Sequence, residues 1–267
     1  MCSAGLVGGQ PHAEYLSRLG MARERIFQGY DAVDNEYFAR NASEVLSRKE
    51  EIRKKHGLPE NYFLASARFV DKKNLLNLVR AYGQYRESAK KDGRKQSEIW
   101  HLVLLGDGPL KSEICNLVAS LGLQQYVLMP GFKQYNELPE FYALAKVFIH
   151  ASTVEQWGLV VNEAMASGLP VLVSNRCGCA QNMVQEGVNG YTFDPYDPKR
   201  MAEMMSRISS PGFPLSGFGS ASSCIIAEWS PTRFASGLSQ AIKAASDAPR
   251  VAMGAFDRLL LQLLSRK

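Results

Sequence analysis

The stretch VFIHASTVEQWGLVVNEAMASGLPVLVS, Val147 to Ser174, decides the fold, because two apolar runs enclose two carboxylates, a glycine turn and a helix start. Val147-Phe148-Ile149 is β-branched and aromatic and runs out through Ala151-Ser152-Thr153, the pattern of a strand entering a loop. From Gly158 the apolar spacing becomes helical. Leu159, Val160, Val161, Ala164, Met165 and Ala166 supply one broad face for burial, until Ser167-Gly168 ends the helix and Pro170 blocks its continuation. Val171-Leu172-Val173 is a second strand. A strand, loop, helix and strand in this order build a parallel sheet whose ligands sit outside the carboxyl ends of the strands. The expected fold class is therefore α/β, built on a parallel sheet.

Glu155 falls in the loop and Glu163 in the second helical turn, with seven residues between them. The first-turn amides of Gly158, Leu159 and Val160 lack intrahelical acceptors and sit at the positive end of the helix dipole, so they suit a phosphate. Glu163 lies roughly 7 Å further along the axis than Gly158 at about 1.5 Å of rise per residue. A carboxylate there can accept hydrogen bonds from a ribose while Glu155 holds a group beyond the phosphate. The same two glutamates also suit a capping acid and a solvated helix acid.

EQWGLVVNEAMASGLPVLVS closely resembles the E-x7-E signature of the group 1 glycosyltransferases, a large retaining family with the GT-B architecture of two facing Rossmann-like domains. The resemblance covers roughly residues 24 to 245 and implies the C-terminal, nucleotide-sugar-binding half of a GT-B fold, a Rossmann-like parallel sheet with helices on both faces. It further implies that Glu155 binds donor sugar hydroxyls, Gly158 to Val160 the diphosphate, and Glu163 the ribose. Tyr62 to Ala65 reads as the first strand of that domain. It leads to Arg68 and, five residues later, Lys73, which match the family's diphosphate-binding arginine and lysine. Fixed cations there stabilise the charge that grows on a departing nucleoside diphosphate.

Trp100 to Leu105 is a strong buried strand that runs into Gly106-Asp107-Gly108-Pro109. That turn matches no complete phosphate-loop motif, but it resembles a turn near the family's nucleotide pocket. Tyr126 to Met129 is the next strand, and by resemblance the Gly131-Phe132 loop lies beside the base. Phe132 fits core packing equally well. Asn175 to Gln181 resembles the loop at the sugar end.

Four further helices are expected over Ala42–His56, Leu75–Arg86, Leu110–Ser120 and Pro198–Ile208. Ser88–Ser97 reads as a polar loop, and Ser209–Ser223, rich in Ser, Gly and Pro, as a flexible insertion. Trp229-Ser230-Pro231-Thr232 starts a capped helix to Ala245. Val251–Lys267 reads as an amphipathic helix that packs on the domain, with peripheral membrane contact as the second reading.

The 267 residues are 46% apolar with a net charge of +5, which suits an anionic small molecule as well as an acidic surface. No basic run interleaved with aromatics points to nucleic acid. Five cysteines, with Cys177 and Cys179 lacking a second pair at zinc spacing, point to free thiols. No metal or other cofactor is expected, since by resemblance cations and helix amides serve the diphosphate. His56, His101 and His150 are scattered, and His12 reads as a surface helix residue. The start of the sequence has no basic region followed by an apolar core, so a cytoplasmic protein is expected.

The expected domains are residues 1–40, a remnant of the acceptor domain with the linker-like Gly29 to Phe38; 41–250, the nucleotide-sugar domain; and 251–267, the tail. The function expected is retaining transfer from a UDP- or GDP-sugar to an unknown acceptor. The alternatives are a sugar phosphorylase, a nucleotide-sugar epimerase or a non-catalytic nucleotide-sugar binder. With fewer than thirty residues before the linker, poor transfer and self-association through an exposed interdomain face are also expected.

Overall fold

The computed structural model describes residues 2–248 and Gln262. In chain order the elements are β1 (Gly5–Val7), α1 (Gln10–Arg18), β2 (Ile26–Gln28), α2 (Asn35–Ser47), α3 (Lys49–His56), β3 (Tyr62–Ser66) and α4 (Leu75–Lys91). There follow β4 (His101–Leu105), α5 (Lys111–Ser120), β5 (Val127–Gly131), α6 (Leu138–Leu144), β6 (Val147–His150), α7 (Leu159–Ala166) and β7 (Val171–Ser174). The last are α8 (Ala180–Met183), β8 (Gly190–Phe193), α9 (Pro198–Ile208), α10 (Leu215–Ala227) and α11 (Pro231–Ser246).

Six parallel strands form the main sheet in the order β5-β4-β3-β6-β7-β8. The strand order reverses between β3 and β6, and the ends of those two strands flank the crevice where ligands bind in open sheets of this kind. The strands read as unbroken apolar runs because both faces are covered. Phe63, Leu102, Leu104, Ile149 and Leu172 pack toward α4, α5 and α9, while Tyr62, Leu64, Val103, Leu105, Phe148 and Val173 pack toward α2, α6 and α7. The α/β expectation holds, with helices on both faces. Apart from the main sheet, β1 and β2 pair in parallel, with Gly5 opposite Ile26, and α11 packs across both strands.

Three sequence expectations are corrected. The single helix expected over Ala42–His56 is two, broken at Arg48 (φ −120°) and begun earlier, where the Asp34 carboxylate accepts a hydrogen bond from the Tyr37 amide at 2.9 Å. Phe38, Ala42 and Val45 then carry α2 into the core. The first residues of the loop expected over Ser88–Ser97 are instead the last turn of α4, which continues to Lys91 because Ala89 remains on its buried face.

The third correction concerns the flexible insertion, most of which is α10. Phe218, Gly219, Ser222 and Ile226 form its buried stripe, against α7. A Cβ at Gly219 would stand 2.3 Å from the Gly168 carbonyl oxygen, so the small residues there permit close approach between backbones. Composition resembling a linker is here the requirement of tight packing. The helix expected over 251–267 lies, Gln262 excepted, outside the described residues.

Candidate active site

The carboxyl ends of β3, β4 and β5 are knitted together by backbone hydrogen bonds. Ala67 N–H donates to the Leu105 carbonyl (3.0 Å), Phe69 N–H to Asp107 (2.9 Å) and Gly106 N–H to Gly131 (3.0 Å). Gly106 makes this possible. Its φ is +127°, and a Cβ there would sit 1.9 Å from the Ala67 carbonyl oxygen. The Gly-Asp-Gly turn therefore meets a need for close approach, and Asp107 pairs with Lys111 at 2.7 Å in solvent.

These three ends form one side of a cavity of about 450 Å³, and α7 forms the other. Arg68, Gly106, Phe132, Val160 and Glu163 all line it, so five residues from four separated parts of the sequence converge on one space. Arg68 is exposed and has no ion-pair partner among the described residues. Phe132 is 67% exposed, which removes the core-packing reading and leaves a ring free to stack. Lys133, to which the sequence assigned no role, lines the same space.

On the other side of the crevice, Thr153 N–H donates to the Lys72 carbonyl at 2.8 Å, which ties the loop after β6 to the turn before α4. That tie brings Lys73 into a direct ion pair with Glu155. The Glu155 loop is held in turn by Gly178 N–H donating to the Glu155 carbonyl (3.0 Å) and Cys179 N–H to that of Trp157 (3.2 Å). Gly158 then turns the chain into α7 at φ +107°, a left-handed conformation that disfavours any residue with a Cβ. Val161, Ala164, Met165 and Ala166 are buried as the periodicity requires, but Leu159 is 42% exposed at the helix start, so only its amide fits the assigned role.

In the sequence His150 is one of three scattered histidines. The structure buries it beside the acid, with Nε2 3.6 Å from Glu155 Oε2 and 3.2 Å from Ser152 Oγ. Burial lowers the His150 pKa and keeps the ring neutral. Glu155 is held down to about 2 by His150 and by Lys73, against the opposing cost of partial burial. Glu163 behaves in the opposite way. Burial pushes it up to about 7, although Tyr142 Oη donates to its Oε2 at 2.8 Å and favours the charged form. Identical side chains eight positions apart are thus given different protonation by their surroundings.

Trp157 fastens this loop to the rest of the molecule. Its Nε1–H donates to Asn162 Oδ1 (3.0 Å), and Asn162 Nδ2–H donates to the Asp31 carbonyl (3.2 Å). The Trp157 ring lies 5.1 Å from that of Trp229 and 6.2 Å from that of His12. His12 is therefore packed against the Glu155 loop and is no ordinary surface helix residue. Cys177 and Cys179 are buried free thiols, raised by burial, to about 12 for Cys177. Among the described residues, no three His, Cys, Asp or Glu side chains are grouped to hold a metal ion, and no helix is long and apolar enough to cross a membrane.

Residues 48–212 match the family described as glycosyl transferases group 1, and this span contains every candidate residue named above. Over 155 residues, 57% of this chain, the sequence is 29% identical to the alpha-monoglucosyldiacylglycerol synthase of Acholeplasma laidlawii. Over 167 residues, 62% of this chain, it is 23% identical to the alpha-D-kanosaminyltransferase of Streptomyces kanamyceticus. The matched segments cover 37% and 41% of those proteins, so the chain is aligned to about two-fifths of each. A glycosyltransferase structure from Rickettsia africae superposes with a TM-score of 0.73 at 16% identity, over 92% of this chain and 65% of that one. HepE of Anabaena, solved in complex with UDP, superposes with a TM-score of 0.67 at 19% identity, over 98% and 64%. A family match that runs through both walls of the cavity, on a sheet of the same fold as these structures, means that the chain belongs to the group 1 glycosyl transferases.

Proposed function

We propose that this site holds a nucleoside-diphosphate sugar and supports retaining transfer of its sugar to an acceptor. The observation that carries the reading is the placement of Glu155, Lys73, Arg68 and Glu163 around one helix start at the point where the strand order reverses. The ribose lies against Glu163, the base against Phe132 and the Gly131 backbone, and the diphosphate between Arg68, Lys73 and the amides of Gly158, Leu159 and Val160. Glu155 takes the sugar hydroxyls. Held down to about 2, it is an acceptor of hydrogen bonds and no proton donor near neutral pH. Cations and oriented amides stabilise the leaving diphosphate, and no metal is assigned a part. The UDP bound to the Anabaena relative makes a uridine donor the first to test.

Titration of the purified chain with UDP- and GDP-sugars tests the binding half of this reading, and absence of saturable binding to any of them overturns it. The stereochemical half is read from the anomeric configuration of the product by NMR. Inversion relative to the donor overturns it.

Three substitutions separate the roles of the site residues. Arg68→Ala and Lys73→Ala should each weaken UDP roughly 10- to 100-fold while leaving uridine almost unchanged, because charge-assisted hydrogen bonds to phosphate contribute about 1.5 to 3 kcal/mol. Equal losses for nucleoside and diphosphate contradict the assignment. Glu155→Gln frees Lys73 from its partner. UDP should then bind as well as before or better, while the UDP-sugar weakens. A UDP-sugar that binds and reacts normally with this variant removes Glu155 from the sugar site.

A further inference from the structure

Arg86 sits on the buried stripe of α4, one turn after Tyr82 and two after Leu78, where an apolar side chain would be the ordinary choice. It is 2% exposed, and no carboxylate among the described residues pairs with it. Its guanidinium carbon lies 3.3 Å from the centre of the Tyr126 ring, and Nη1–H donates to Tyr82 Oη at 3.3 Å. The Tyr82 hydroxyl hydrogen is already directed to the carbonyls of Trp100 (2.9 Å) and Tyr126 (3.2 Å). Nε and Nη2 have no hydrogen-bond partner among the described residues. Those two atoms form one edge of the guanidinium fork, the edge that grips an oxyanion with two parallel hydrogen bonds.

A buried cation without a counter-charge is strongly unfavourable, so its presence points to an anion that completes it. The surroundings fit. Arg86 lines a separate cavity of about 290 Å³ together with Arg80, Lys90, Glu87 and the Leu121-Gly122 turn. Three cations face one carboxylate there, a balance suited to an anion of charge near −2. The volume is close to the lower end of ordinary small-ligand pockets, about 300 to 1,000 Å³. This cavity also lies far from the donor site. Arg86 is about 16 Å further along α4 than Leu75, which follows Lys73, and its neighbours Trp100 and Tyr126 immediately precede β4 and β5, at the opposite ends of the strands from Gly106 and Phe132.

We propose that this second cavity binds a phosphate dianion, either inorganic phosphate or the phosphate of a small monoester, through Nε and Nη2 of Arg86 with Arg80 and Lys90 at the rim. The site is independent of the donor reading. Arg86's planar fork positions the anion, the Tyr126 ring fixes the plane of the fork, and the rim cations add attraction and selectivity for the doubly charged form.

The test is titration of the full chain, saturated with UDP to occupy the donor site, with inorganic phosphate and separately with ribose 5-phosphate. Sodium chloride at equal ionic strength is the control, and binding is read by calorimetry and by the rise in Tm. Saturable binding beyond the chloride control is expected, and tighter binding of the monoester would assign the source. Arg86→Gln should weaken it about 10- to 100-fold while UDP affinity is unchanged. Should Arg86→Gln not fold, the surface variant Arg80→Gln/Lys90→Gln should still lose several-fold in phosphate affinity. An Arg68→Ala/Lys73→Ala variant should retain the phosphate response in full. Phosphate behaving as chloride does, a response unaltered in Arg86→Gln and Arg80→Gln/Lys90→Gln, or a response lost with Arg68 and Lys73 overturns the proposal.

Discussion

Glu163→Gln is expected to make the free protein more stable at pH 8 while weakening its hold on a ribonucleotide. The carboxyl is pushed up from 4.5 to about 7 by burial beside the cavity, so the fold favours its neutral form. For a group whose pKa is raised on folding, the stabilising contribution is complete below about 4.5 and lost as pH rises through about 7. A shift of this size corresponds to a few kcal/mol at about 1.36 kcal/mol per unit, and a neutral amide of the same shape avoids that loss at alkaline pH. Tyr142 Oη can donate to the amide oxygen as it does to Oε2.

Ribose recognition makes the opposite demand, since two vicinal hydroxyls are best received by an ionised carboxylate. The affinity of the wild-type protein for UDP should therefore fall as pH drops below about 7, by roughly tenfold per unit. The preference for UDP over 2′-deoxy-UDP should fall with it. Glu163→Gln should flatten the pH profile and abolish most of that preference. Denaturant titration at pH 5 and pH 8 reads the stability arm and calorimetry the binding arm. A variant that discriminates the two nucleotides as the wild type does, with an unchanged pH profile, removes Glu163 from the ribose site.

Gly106→Ala is expected to be among the most damaging single methyl additions in the chain. Two independent penalties coincide there. The backbone conformation at φ +127° is one that residues with a Cβ rarely adopt, and the added carbon would lie 1.9 Å from the Ala67 carbonyl oxygen, a rigid backbone atom. Strain of the first kind alone costs about 1 to 3 kcal/mol, and relief of the clash requires separating the ends of β3 and β4. A total loss above about 3 kcal/mol is expected in denaturant unfolding. Because the Ala67–Leu105 and Gly106–Gly131 hydrogen bonds hold the wall that carries Arg68 and Phe132, UDP affinity should fall even in the folded fraction. Stability within 1 kcal/mol of wild type, on the order of a surface substitution, contradicts the close approach. Gly57→Ala provides the comparison. Its left-handed φ is +63° and, chain neighbours apart, no described residue comes within 4 Å of the added carbon, so it should cost only the conformational part, about 1 kcal/mol.

The strand assignments came from local chemistry that one chain displays by itself. A strand covered on both faces must be apolar throughout, so Tyr62 to Ala65, Trp100 to Leu105 and Val147 to Ile149 were legible without any partner. Gly158 and Pro170 bound α7 for equally local reasons of backbone conformation. Small residues were less legible, because glycine and serine serve both freedom and close contact. In α10 they serve contact with Gly168, a residue about fifty positions earlier, and nothing near Leu215 to Ala227 announces that.

At the site, the sequence itself supplied residue type and spacing: two glutamates with seven residues between them, and an arginine five before a lysine. Tertiary structure decided what those residues are. The pairing of Lys73 with Glu155 depends on the Thr153–Lys72 hydrogen bond between distant loops, and the contribution of His150 depends on its burial beside that acid. Glu155 near 2 and Glu163 near 7 have the same covalent structure. Their difference arises from desolvation and neighbouring charge, which exist only once segments remote in sequence are brought within a few ångströms. The same reason explains Arg86, which in sequence only closes the helix expected over Leu75–Arg86. Its burial, its stacked ring and its two unpartnered nitrogens appear only when α4 is laid against Tyr126.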